Sequence, residues 1–127
     1  MIYKVALLRN FEARHRLIGG DWGGENELHT HHYQVEMSLE GTRLDEHGYL
    51  VDLTAIEVSL DAALARIAGQ TLNDLPELIG LNPSMERLAE IFCRSVLADM
   101  AAPALSAVSV KVFESASAWA VCRRELP

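Results

Sequence analysis

His29 and His31 stand two residues apart in the segment Leu28-His29-Thr30-His31-His32-Tyr33-Gln34-Val35-Glu36-Met37-Ser38-Leu39. Odd positions from 29 to 39 carry His, His, Tyr, Val, Met and Leu, while the even positions from Thr30 to Ser38 are polar. Successive side chains of a strand point to opposite faces, so the pattern predicts a half-buried strand with two imidazoles near the end of its apolar face. An earlier segment repeats the arrangement. Tyr3, Val5, Leu7, Phe11, Ala13 and His15 share one parity, and His15 lies at the end of that face. Three imidazoles converging from two strands would form a three-nitrogen metal site with an open fourth position, the catalytic rather than the structural type of zinc site. The same nitrogens also accept other first-row divalent metals. An isolated buried histidine is more often a hydrogen-bonded core residue, and the residue pattern by itself leaves both readings open. His32 shares its parity with Gln34 and Glu36 and is expected on the surface; His47, beside Gly48, falls in a turn-like segment.

The elements that must position these residues follow from periodicity. The first strand is predicted from about Ile2 to Arg16 and the second from about Leu28 to Leu39, with the glycine-rich loop Gly19-Gly20-Asp21-Trp22-Gly23-Gly24 between them. Gly41 to Gly48 turns the chain, and Tyr49-Leu50-Val51 reads as a short extended piece. Asp52 or Thr54 can cap a helix in which Ile56, Leu60, Leu64 and Ile67 recur at helical spacing, and Gly69 ends it. A loop rich in Asn, Asp, Pro and Gly runs to Pro83. Ser84 can cap a second helix, with Glu86 near its positive end and Leu88, Phe92 and Val96 as its apolar stripe; that helix should stop before Pro103. Two last strands, Ser106 to Phe113 and Ala118 to Arg124, are joined tightly through Glu114-Ser115-Ala116-Ser117. The order is strand, strand, helix, helix, strand, strand. Strands grouped away from helices imply an α+β fold, an antiparallel sheet with helices on one face. Oligomerisation is one way to close the open edges of such a sheet.

A length of 127 residues fits one domain, 1–127. The net charge of −7 argues against general nucleic-acid binding, which needs a basic surface. Arg9, Arg14 and Arg16 could still serve a small anion. No apolar run is long enough to span a bilayer and no signal-peptide pattern opens the chain, so a cytoplasmic protein without membrane partners is expected. Cys93 and Cys122, each in apolar company, read as reduced packing residues.

Several segments resemble the 6-pyruvoyl tetrahydropterin synthase and 6-carboxy-tetrahydropterin synthase family. Phe11-Glu12-Ala13-Arg14-His15 resembles the family's Phe-x-Ala-x-His opening. His29-Thr30-His31-His32-Tyr33 resembles its His-Gly-His-x-Tyr strand, with Thr30 in place of Gly. Gly48 to Leu53, Leu72-Asn73-Asp74, Asn82 to Ala89 and Lys111 to Ser115 resemble further family segments, in the family's order and across nearly the whole chain. The resemblance implies the tunnelling fold: a four-stranded antiparallel sheet with two helices between the second and third strands. It also implies trimers whose sheets join into a barrel, and two trimers stacked as a homohexamer, with the active site at subunit interfaces. Carried over by position, His15, His29 and His31 would hold Zn2+, Glu114 would anchor the pterin, and Ser84 would contact it. Read without the family, Glu114 is a solvated turn carboxylate and Ser84 a helix cap.

The chain departs from the pattern at the reacting groups. The position of the family's catalytic thiol, four residues before the first histidine of the paired motif, is Glu25. By register, Ala68 and Gly69 stand where the synthases carry an Asp-His pair. A positioned general base contributes on the order of 10²–10⁴-fold, so its loss matters unless Glu25 takes over. In one branch of the family Glu replaces Cys and the product is 6-hydroxymethyl-dihydropterin, a folate precursor. The first expectation is therefore a zinc-dependent lyase acting on the side chain of dihydroneopterin triphosphate or a related pterin or deazapurine, in folate or queuosine-type biosynthesis, with Glu25 as the base. The alternative is a paralogue that binds metal and a pterin-like ligand without the synthase reaction. A surface Glu25 and a purely structural oligomer are the plainer counterparts of these readings.

Overall fold

The computed structural model describes residues 1–99 and 104–127. β1 (Tyr3–His15) and β2 (His29–Gly41) pair antiparallel in unbroken register, from Tyr3 opposite Gly41 to His15 opposite His29. β2 pairs with β3 (Leu105–Ser115), and β3 with β4 (Ala118–Glu125), in one antiparallel sheet of order β1-β2-β3-β4. α1 (Leu53–Ile67) and α2 (Met85–Asp99) fall between β2 and β3, so the ββααββ order read from periodicity is the order observed. Pro103, expected to stop the second helix, lies outside the described residues.

The sheet buries one face because opposing residues of an antiparallel pair point the same way. Val35 faces Val112, Met37 faces Val110 and Leu39 faces Val108, and all six are fully buried. They meet Leu60 and Ile67 of α1 and Leu88, Phe92 and Val96 of α2. Each such side chain contributes roughly 1.5–3 kcal/mol by leaving water. The helix ends are closed locally. Asp52, rather than Thr54, caps α1 and accepts the Thr54 N–H at 3.0 Å. Gly69, at φ +75°, takes the left-handed turn beyond the Ala68 cap that glycine adopts without steric cost. Ser84 caps α2 by accepting the Arg87 N–H at 3.2 Å.

Two local expectations change. Tyr49-Leu50-Val51 forms no strand. The Asp45 carboxylate accepts the N–H groups of His47 and Tyr49 at 2.8 and 3.0 Å, and this side-chain turn takes the backbone donors that a strand would need. Leu50 folds inward instead and crowds Gly41, where a Cβ would lie 2.8 Å from Leu50 Cδ1. The glycine-rich loop contains a single 3-10 turn, Gly23–Asn26. Asn26 organises that loop by donating to the Leu17 and Gly20 carbonyls, both at 3.0 Å, and accepting the Trp22 N–H at 2.8 Å.

The chain after α1 docks on the outer edge of β1. The Gly69 N–H donates to the Glu12 carbonyl at 2.7 Å, and the Arg14 N–H donates to the Gln70 carbonyl at 2.9 Å. Asn73 and Asn82 then act as surrogate strand partners for the chain leaving β1. Each bonds both the N–H and the carbonyl of one residue: Asn73 with Arg16, Asn82 with Ile18. The backbone on the far side of His15 is thereby held. Among the described residues no helix is long and apolar enough to cross a membrane.

Candidate metal centre

The β1–β2 register decides where the histidines meet. His15 stands directly opposite His29, and Ala13 opposite His31, so His15 lies across from one imidazole and diagonal to the other on the same face. The ring centroids of His15 lie 4.6 Å from His29 and 4.4 Å from His31, and His29 and His31 are 4.8 Å apart. One ligand nitrogen from each ring falls within 4.8 Å of the others. His15 is 3% exposed, and the other two are half-buried.

Neighbouring groups orient these rings. His29 Nδ1 lies 2.7 Å from the Glu27 carbonyl, which only accepts, so Nδ1 donates to it and Nε2 is turned to the cluster. That Nε2 lies 2.9 Å from His31 Nε2. His15 Nδ1 lies 3.0 Å from the Tyr33 hydroxyl, which leaves its Nε2 for the centre. Burial, with smaller contributions from His31 and His29, pushes the His15 pKa down to about 4. His15 is therefore neutral at pH 7, the form that binds a cation. Metal–imidazole bonds of about 2.0–2.1 Å in tetrahedral array place nitrogens roughly 3.3 Å apart. Three imidazole nitrogens on one face are a donor set that suits such an ion.

An open cleft of about 790 Å³ lies where the end of the β3–β4 hairpin meets the β1–β2 ribbon, and none of the three histidines lines it. Phe11, Glu12, His32, Tyr33, Gln34 and Glu114 are among its lining residues. The register of β3 against β4 shifts between Phe113 and Ser115, so Glu114 occupies a β-bulge. A bulge re-aims a side chain that regular alternation would send elsewhere. Tyr33 touches His15 through its hydroxyl and is among the residues that border the cleft. Burial, and secondarily the charge of Glu114, raises the Tyr33 hydroxyl above its ordinary range.

Other residues singled out from the sequence are not members of the three-histidine cluster. Glu25 is exposed in the 3-10 turn, and its carbonyl accepts the Leu17 N–H at 2.8 Å. Neither Glu25 nor Ser84 lines the cleft that holds Glu114. Arg9, read as a possible anion ligand, is committed to α1 through Asp61 at 3.0 Å and Glu57 at 3.5 Å. His32, on the surface as expected, pairs with Glu12 at 3.1 Å, and His47 pairs with its neighbour Glu46 at 3.3 Å. Cys93 and Cys122 are free thiols, and burial pushes the Cys93 thiol up. The structure adds Tyr33, Asn73 and Asn82 to the site. Their polar partners lie 57 to 64 residues away for the asparagines and 18 for the tyrosine, distances that periodicity does not reach.

Comparison with known proteins gives the family and the fold. The family model described as 6-pyruvoyl tetrahydropterin synthase matches residues 4–125. The chain belongs to that family. A curated relative from Archaeoglobus fulgidus, provisionally named a 6-carboxy-5,6,7,8-tetrahydropterin synthase, is 24% identical over 120 residues, which is 94% of this chain and 95% of the relative. The 6-pyruvoyl tetrahydropterin synthase of Caenorhabditis elegans shares the fold at a TM-score of 0.79 and 18% identity, over 100% of this chain and 97% of its own. The Plasmodium vivax synthase does so at 0.79 and 16%, over 99% of both chains. That enzyme is also known as a variant in which a catalytic glutamate is replaced by alanine. The tunnelling fold of the family is thus the fold of this chain.

Proposed function

We propose that this chain is a metal-dependent lyase acting on the side chain of a reduced pterin, dihydroneopterin triphosphate or a close relative. The observation that carries this reading is the inward set of imidazole nitrogens from His15, His29 and His31. These histidines would hold Zn2+. When bound, such an ion acts as a Lewis acid that polarises side-chain oxygens and acidifies the neighbouring C–H. Glu114 accepts hydrogen bonds from the amino and ring N–H groups of the pterin, a paired geometry that suits a carboxylate. Ser84, already the α2 cap, contacts the ring from the helix end.

Glu25 takes the proton from the substrate side chain. Its place four residues before His29 and the catalytic glutamate of the Plasmodium vivax enzyme support that role. Side-chain cleavage to 6-hydroxymethyl-dihydropterin is the product expected of a glutamate base. The site is completed by neighbouring copies. β1 and β4 are the outer strands, and the helix-free face exposes Leu8, Trp119 and Val121. A homohexamer built as a dimer of trimers covers these edges.

One observation favours a second reading, a paralogue that binds metal and pterin without turnover. Ala68 and Gly69 are exposed helix-end residues where the synthases carry their Asp-His pair, and neither bears a proton-transfer group. Incubation of zinc-loaded protein with dihydroneopterin triphosphate, followed by mass spectrometry, separates the two. Hydroxymethyl-dihydropterin supports the glutamate-based lyase. Unchanged substrate with measurable pterin affinity supports the binding protein. A pyruvoyl or carboxy product means that another group replaces the missing pair. Metal analysis should find about one ion per chain, and metal-free protein that folds normally after zinc exposure would exclude the histidine site.

A further inference from the structure

Tyr33 is buried at 3% exposure, with its hydroxyl turned to one histidine of the cluster. Its hydroxyl lies 3.0 Å from His15 Nδ1. Its ring stacks on Phe11, with centroids 5.1 Å apart and planes 20° from parallel, and Phe11 in turn packs edge-on against Phe92 of α2. The hydroxyl is therefore held by the core rather than by the metal centre. The imidazole of His29 is fixed independently, by the Glu27 carbonyl. Among the described residues no carbonyl takes that role for His15, whose Nδ1 meets the phenol.

We infer that Tyr33 is a positioning residue of the metal centre, which accepts the Nδ1 proton of His15 and so holds His15 with Nε2 free for the ion. This rests on the metal reading above. A neutral imidazole can donate from one nitrogen and ligate through the other, and the partner of the donating nitrogen selects which is which. A hydroxyl can give or take a proton, so apo protein can hold the pair either way round. Ion binding at Nε2 selects one arrangement, in which His15 donates and Tyr33 accepts. The Tyr33 O–H is then directed away from His15.

The variant Tyr33→Phe keeps the ring and its stack and removes only the oxygen. It should bind zinc on the order of 10- to 100-fold more weakly in chelator competition, the usual effect of losing a partner of a ligating histidine. Circular dichroism and thermal melting should show the parental fold. Zinc affinity within twofold of the parent overturns the inference. A second measurement needs no variant: in the unmodified protein loaded with cadmium-113, nitrogen-15 spectra should show coupling from the ion to His15 Nε2 and a proton on Nδ1. Coupling to Nδ1 overturns the inference whatever Tyr33→Phe does. Parental protein that takes up no metal refutes the metal reading and this inference with it, whereas normal uptake with an unaffected Tyr33→Phe refutes the tyrosine alone.

Discussion

Asn73 holds Arg16 as a neighbouring strand would: its Oδ1 accepts the Arg16 N–H and its Nδ2 donates to the Arg16 carbonyl, both at 2.9 Å. Asn73 is buried, and Arg16 directly follows the ligand His15. Asn73→Ala removes both bonds and leaves two backbone groups to find other partners. A loss of about 1–3 kcal/mol in unfolding free energy is expected in urea titrations. Because the end of β1 loosens, zinc affinity should fall as well. A fully parental stability would mean that the clamp is not part of what holds His15.

The low pKa of His15 makes metal-free protein sensitive to mild acid. The unfolded chain takes up the proton near pH 6.5 and the folded chain only near 4, so the unfolded state binds more protons between these values. Stability from this group is complete above pH 6.5 and declines as the pH falls toward 4. Full expression of the difference is worth about 3 kcal/mol. Thermal melts of metal-free protein across that interval should show the decline, and His15→Gln should flatten it. A flat parental profile would contradict the buried, neutral state of His15.

Glu114 sits in the bulge that turns it toward the cleft. Glu114→Gln preserves size but exchanges one accepting oxygen for a donor, so it meets the pterin N–H pair with one clash. Pterin affinity should fall by about 1.5–3 kcal/mol while zinc content stays at the parental level. Equal losses of both would mean that the substitution disturbs the hairpin rather than the ligand.

Glu25→Gln addresses the proposed base. Turnover should drop on the order of 10²–10⁴-fold with pterin binding nearly unchanged, because the carboxylate is asked only to move a proton. The exposed position of Glu25 predicts little change in melting temperature. Parental turnover in this variant would remove Glu25 from the mechanism.

Much of the architecture was legible because it is written in local periods. Alternation along residues 3–15 and 29–39 marks two strands and assigns His15, His29 and His31 to their apolar faces, since side-chain direction depends only on backbone geometry. Helical spacing and capping residues likewise marked α1 and α2. The charges of Arg9 were legible, but not their use: Asp61 and Glu57 come from a helix that sequence spacing cannot dock. Tyr49-Leu50-Val51 misled because its apolar pattern suits a strand while the Asp45 carboxylate captures the backbone donors nearby.

Parity and family resemblance together name the three histidines and Glu114 from the sequence by itself. Tertiary structure decided what parity cannot. The His15–His29 register, the bulge at Glu114, the phenol on His15 and the asparagine clamps on Arg16 and Ile18 are all pairings across the chain. A period of two fixes which face a side chain takes. Which residue it meets there is set by the packing energy of the whole sheet and its helices.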